Sequence, residues 1–333
     1  MQKERIGYID IVRGLAIILM VMGHMDFGYQ FDYYIHAFHM PVWFFISGWF
    51  QKNNHLGFQN VKRKIHKLII PYFIWGFLQY PVWILFNRSA NNKLEPLMNL
   101  FWENTNLLMP IAGALWFLTC LFFTELIFAF IQNKFKNKIN KTAAVFIMII
   151  TGFSLPHYFQ IRLPWAIDVS FVTVGFMAIG YYLKTYFNNE HVKRFFNLSI
   201  IEIIVLGIIN SASIFVNGYV NLRTGSYSCY FLFWINAILA IVVFWNACRI
   251  VDHKCSKCFL VTEIKFIGRY SMIYLVLNQL LVLIGNRILY RLQIGNIAVV
   301  LMVKAIFVLL IMVILHRIAL IFNLRRLSWM IGK

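Results

Sequence analysis

Ten apolar runs constrain this chain more than any other feature of its sequence. They fall at roughly residues 9–25, 33–50, 68–86, 107–132, 143–155, 165–185, 198–216, 228–248, 266–284 and 297–322. Most approach the ~20 residues that a helix needs to cross ~30 Å of hydrocarbon. The apolar character is continuous, whereas the strands of a membrane barrel alternate. The fifth run is short and borders Pro156. Of 333 residues, 61% are apolar and 13% charged, about half the usual charged quarter of a soluble protein. A soluble domain of this length could not bury so much apolar surface. The expectation is an all-α integral membrane protein with about ten transmembrane helices and a single domain over residues 1–333.

Charge distribution tests that count. With the N-terminus placed in the cytoplasm, segments assigned to the inside hold 21 Lys and Arg, and segments assigned to the outside hold 6. The excess alternates at every connection, as the positive-inside rule requires. It places both termini in the cytoplasm. The formal charge of +19 is therefore read as membrane topology and attraction to anionic headgroups. No nucleic-acid-binding motif accompanies it. The first apolar run carries Asp10 and Arg13 and lacks a small-residue cleavage pattern, so it is expected to be an uncleaved first span rather than a signal peptide. The five cysteines form no disulfide framework. Cys255 and Cys258, with His253, make only half of a zinc motif.

Ionisable groups within a span are costly and mark functional sites by default. The first span holds Asp10, Arg13 and His24. Arg13 and His24 are eleven residues apart, about 20° from three full turns, and about 16 Å along the axis. Asp10 and Arg13 are three apart and can touch. All three share one face, which should line the protein interior. Alternatively, Asp10 and Arg13 form a structural ion pair and His24 caps the helix among headgroups. The second run adds His36 and His39, entering from the side where His24 ends. Three imidazoles can converge there. With no HExxH motif and no carboxylate partner, a base among hydrogen-bonding groups fits better than a metal site.

These residues carry a resemblance. The pieces are Asp10-Ile-Val-Arg13-Gly14, the spacing from Arg13 to His24, His36-Ala-Phe-His39-Met-Pro41 and Phe44-Phe-Ile-Ser47-Gly48. Next come Lys62-Arg-Lys leading to Ile70-Pro71-Tyr72, Gly113-Ala-Leu-Trp116, Leu163-Pro164 with Asp168, Gly180-Tyr181, and Ile267-Gly-Arg-Tyr-Ser271-Met-Ile-Tyr274. In that order they resemble the acyltransferase-3 family of integral membrane acyltransferases, particularly its fucose-4-O-acetylase-like branch. The resemblance implies about ten spans and cytoplasmic acyl-coenzyme A, by default acetyl-CoA, as co-substrate. It implies an acceptor hydroxyl on a sugar of an envelope or secreted glycan, and a bacterial inner membrane. It makes Arg13 and His24 the main functional pair. Relatives often carry a His soon after the Ser271–Tyr274 segment, where this chain has Leu277-Asn278-Gln279.

Roles follow as expectations. His24 serves as general base, oriented or assisted by His39, with Asp10 beside Arg13 in the catalytic set. His36, Trp116 and Asp168 contact the acceptor. Arg13, Lys62, Arg63, Lys64 and Lys67 hold the nucleotide phosphates of the donor. The same lysines and arginines are equally explained by inward topology, Trp116 by packing, and Asp168 by the positive end of its helix. No metal is expected. The rival reading is a transporter or flippase of a lipid-linked glycan. Such proteins often show repeated halves with broken helices, a symmetry this sequence lacks.

Overall fold

The computed structural model describes residues 6–51, 57–87, 92–102, 105, 110–324 and 329–330. The basic residues Lys3, Arg5, Lys52, Arg88, Arg325, Arg326 and Lys333, which enter the charge count, lie outside them. In chain order the helices are α1 Gly7–His24, α2 Tyr29–His36, α3 Pro41–Phe50, α4 Phe58–Lys64, α5 Ile70–Phe86, α6 Glu95–Asn99, α7 Trp116–Lys134 and α8 Lys138–His157. They continue as α9 Ile167–Thr185, α10 Glu190–Phe195, α11 Ile200–Asn217, α12 Tyr230–Cys255, α13 Phe259–Arg269, α14 Ser271–Leu292 and α15 Ile297–Leu324. A short hairpin at 220–227 is the only sheet among the described residues. The protein is an all-α, multi-pass membrane protein. Nine helical segments of the described residues are long and apolar enough to cross a bilayer.

The second run, residues 33–50, is not one long helix. It divides into α2 and α3 across residues 37–40. Pro41 explains the division: it has no N–H, and its ring disfavours helical geometry at the residue before it. A second proline has a milder effect. Pro71 cannot donate to the carbonyl of Lys67 and crowds it. The backbone widens there into a π turn over Ile65–Ile69, and the helix continues as a segment covering Phe58–Phe86. The short fifth run becomes the 20-residue α8, its start capped by Asn137, whose side chain accepts from the Ile139 N–H.

The chain folds into two compact units. One contains the chain up to Trp43, Thr185–Val220 and Tyr227–Ala319; the other contains Phe44–Lys184, Asn221–Ser226 and the chain from Leu320.

In the first unit α1 is packed by α12, α13 and α14. Its crossing with α13 is set by two glycines. A Cβ on Gly14 would lie 2.1 Å from the Ile264 carbonyl oxygen, and one on Gly268 would lie 1.9 Å from that of Asp10. Only hydrogen at both positions lets the two backbones meet, the small-residue device of membrane helix pairs. Elsewhere Asn210 Nδ2 donates to the Asn236 carbonyl across α11 and α12 at 3.0 Å. The side chain of Asn246 accepts from Leu198 N and donates to the Phe195 carbonyl.

The second unit repeats the device. A Cβ on Gly48 would lie 1.9 Å from the Met177 carbonyl oxygen, and one on Gly180 would lie 2.1 Å from that of Phe45. This reciprocal crossing joins α3 to α9. A buried cluster of Phe128, Ile131, Val145, Val174, Met177 and Ala178 ties α7, α8 and α9 together.

Candidate active site

The first unit gathers the three histidines. His24 ends α1, where its Nε2 lies 3.1 Å from Gln279 Nε2 of α14. An amide nitrogen only donates, so in this arrangement His24 Nε2 accepts and its proton sits on Nδ1. Asn286, two turns further along α14, reaches toward the His24 carbonyl at 3.4 Å. His36 and His39 lie at the end of α2 and in the break that follows, with ring centroids 5.0 Å apart and ring planes nearly perpendicular. The last turn of α1 packs on α2: a Cβ on Gly23 would lie 2.5 Å from Ile35 Cδ1.

Main-chain contacts orient both break histidines. His36 Nδ1 is 2.9 Å from the Asp32 carbonyl, and His39 Nδ1 is 2.6 Å from the Ile35 carbonyl. A carbonyl only accepts, so each Nδ1 carries the proton and each neutral ring keeps its lone pair on Nε2. His39 is buried, and His36 is half-buried and packs its ring against Tyr219 at 5.3 Å. These are two rings with fixed tautomers beside a third held by an amide.

Around the end of α1 lies a small charged group. Asp26, in left-handed backbone geometry, is exposed and lies 3.8 Å from Lys304 Nζ. Asp32 sits near both. Burial and the Asp26 charge raise its carboxyl to about 6, against a smaller lowering by Lys304.

At the other end of α1, Asp10 is buried, and Arg269 Nε of α13 lies 3.2 Å from its Oδ2. Sequence spacing offered Arg13 as a neighbour of Asp10 but gave no sign of Arg269, which is 259 residues away. The only hint was its place in the Ile267-Gly-Arg-Tyr segment. Arg13 is half-buried, about 16 Å along α1 from His24. Asn278 and Gln279 separate cleanly. Asn278 Nδ2 bonds back to the Tyr274 and Leu275 carbonyls of its own helix, whereas Gln279 meets His24. In the sequence the two mark only the stretch where relatives often carry a His.

The remaining predicted site residues belong to the second unit. Lys62, Arg63 and Lys67 are exposed. Lys64 is turned inward and forms an ion pair with Glu125 of α7, whose other oxygen accepts from Ser47 Oγ at 2.8 Å. Glu125 thus closes a Ser47–Glu125–Lys64 triad, and Lys64 has a carboxylate partner already. Trp116 is buried, edge-on to Phe117. Asp168, 1% exposed, lies with Oδ2 2.6 Å from Arg162 Nε. Any acceptor contact by Asp168 would therefore compete with that guanidinium. Cys255 and Cys258 are exposed and free. Among the described residues no three His, Cys, Asp or Glu side chains are grouped to hold a metal ion.

Comparison with known families gives the class of this multi-pass helical chain. A family model described as an acyltransferase domain, that of the acyltransferase-3 family, matches residues 6–317, and the chain belongs to this family. It is thus a membrane acyltransferase. No curated protein and no solved structure matches it.

Proposed function

We propose that this acyltransferase is an O-acyltransferase of the bacterial cell membrane, moving an acetyl group from cytoplasmic acetyl-CoA to a sugar hydroxyl of an envelope or secreted glycan. The observation that carries the reading is the histidine cluster of the first unit, with His24 held by Gln279 and His36 and His39 of fixed tautomer beside it. Acyl transfer needs a base for the alcohol, and imidazole is suited to it near neutral pH.

In the reaction the acceptor hydroxyl displaces the Gln279 amide from His24 Nε2, which then takes the hydroxyl proton. The oxygen forms a bond to the thioester carbonyl carbon, and the carbon–sulfur bond breaks. The thiolate leaves and takes up the proton from the imidazolium. Gln279 serves both protonation states of His24. Its NH2 donates to the neutral ring, and its carbonyl, after an amide rotation, accepts from the charged one. His39, and His36 beside it, bind the acceptor through their Nε2 lone pairs.

Arg13 takes nucleotide phosphate on the cytoplasmic side; Arg suits bidentate phosphate contact. Lys64 anchors its helix through Glu125 and contributes little to the donor. Asp10 fixes α13 through Arg269.

The test uses protein purified in detergent with radiolabelled acetyl-CoA and host envelope glycan. His24→Ala should keep donor binding and lose transfer by about 10²–10⁴-fold, the range of a lost general base. Arg13→Ala should weaken donor binding. A folded wild-type protein that neither binds acetyl-CoA nor labels any glycan would overturn the reading.

A further inference from the structure

The second unit carries a cavity of ≈ 220 Å³ that the mechanism above does not use, lined by Trp102, Gln160, Arg162, Leu163 and Pro164. Ligand sites for drug-sized molecules run from about 300 Å³. This one therefore takes a single ring rather than a chain of them.

Its walls are fixed before any ligand arrives. Trp102 and the loop opposite are joined by a hydrogen bond from Trp165 N to the Trp102 carbonyl at 3.0 Å. Trp165 Nε1 and the Tyr72 hydroxyl both donate to the neighbouring Leu100 carbonyl, at 3.1 and 2.5 Å. Gln160, Trp165 and Ala166 all adopt positive φ, which costs a non-glycine residue about 1–3 kcal/mol unless its surroundings impose it. Arg162 is locked on all sides. Its Nε faces Asp168, and its two terminal nitrogens donate to the Thr224 and Arg223 carbonyls.

The chemistry of the walls selects the ligand. Arg162 spends its charge on Asp168, so the cavity offers little net charge to a phosphate. What remains is the flat face of a guanidinium, a primary amide that both donates and accepts, and an indole. Trp102 is 67% exposed, so its face is open to a ligand. Hydroxyls in a ring satisfy planar polar groups, and the C–H face of the same ring packs on an aromatic. That combination describes a neutral sugar.

We infer that the Trp102–Gln160–Arg162 cavity is a saccharide subsite for one ring of the acceptor glycan, an inference that rests on the glycan O-acyltransferase reading. Trp102 supplies the stacking face, Gln160 the hydrogen-bonding amide, and Arg162 a rigid wall.

The test is saturation-transfer NMR on the full-length protein in detergent, with methyl glycosides of a hexose, a 6-deoxyhexose and an N-acetylhexosamine, and with glycerol phosphate as the headgroup probe. At least one glycoside should receive saturation from wild type, through its ring C–H protons, and glycerol phosphate should not. Loss of the indole in Trp102→Ala should weaken that glycoside about three- to tenfold, the worth of an aromatic contact. Gln160→Ala should weaken it as well, and Trp102→Phe should retain part of the binding. The Phe and Gln160 variants keep the test open if Trp102→Ala fails to fold. No glycoside binding to wild type, undiminished binding in the variants, or a preference for glycerol phosphate overturns the subsite, leaving Trp102 a membrane-interface anchor. Acetyl-CoA transfer is measured on the same preparations. Transfer without glycoside binding sinks the subsite alone, whereas glycoside binding without any donor use sinks the acyltransferase reading.

Discussion

Replacing Gly268 by alanine should push α13 off α1. The new Cβ would fall 1.9 Å from the Asp10 carbonyl oxygen and 3.0 Å from Gly14 N, both main-chain atoms that no rotamer change can move. Ordinary contact begins near 3.5 Å, so the helices must part by about 1.5 Å. Overpacking of this kind costs about 1–3 kcal/mol, occasionally more. Parting the helices also draws Arg269 from the buried Asp10, a loss discounted because Arg269 is 46% exposed. A total of about 2–4 kcal/mol follows. At about 2 °C per kcal/mol for a chain of this size, the apparent Tm should drop by about 4–8 °C. The assay is the fraction of protein still monodisperse by size exclusion after a heating series. Gly207→Ala is the matched control. Its Cβ would meet only Val243 Cγ1 at 3.7 Å, and alanine is the better helix former by about 1 kcal/mol. It should leave stability unchanged or raise it. Equal melting of Gly268→Ala and wild type, or equal damage from both substitutions, would refute the reasoning.

Three further outcomes are expected. Glu125→Ala, which strands Lys64 in a largely buried site, should lose about 3–5 kcal/mol. Ser47→Ala should lose about 1 kcal/mol, and Lys64→Met should partly rescue Glu125→Ala; chemical unfolding of the set decides this. Gln279→Ala should lower kcat about ten- to a hundredfold by loosening His24, with donor KM unchanged and the pH profile shifted, and Gln279→Asn should not restore it. Asp32 binds its proton more tightly when folded, at about 6 against 3.8. Its contribution to stability is therefore full below pH 3.8 and lost as pH rises through about 6. Melting of Asp32→Asn across pH 4–7 should lack that decline, and an unchanged pH slope would count against the assignment.

The membrane class, the apolar runs and the pairing of His36 with His39 were legible because helix periodicity and charge placement are local properties. The partners were not. Arg269 on Asp10, Glu125 on Lys64 and Gln279 on His24 depend on which helices touch, and one sequence does not encode that in any spacing. The family-like glycines illustrate the same limit. Gly14 and Gly48 stand in motifs that read as parts of a reaction centre, yet their geometry is that of two helix crossings, with Gly268 and Gly180 as their counterparts. Lys64 shows the converse: a cation grouped with its neighbours by sequence is turned to the interior by a carboxylate 61 residues away.

The division of the second apolar run at residues 37–40 has a consequence for where its histidines can stand. Hydrocarbon offers no partner to a carbonyl freed from a helix, so an interrupted segment survives at membrane depth only where protein or water surrounds it. His36 and His39 flank that interruption, and their Nδ1 atoms are tied to carbonyls of the preceding turn. Here protein surrounds it, for residues 37–40 are all buried. A proline that spoils a transmembrane helix thereby seats His39 inside the protein, and a variant that healed the helix, such as Pro41→Leu, would move that ring as it straightened the span.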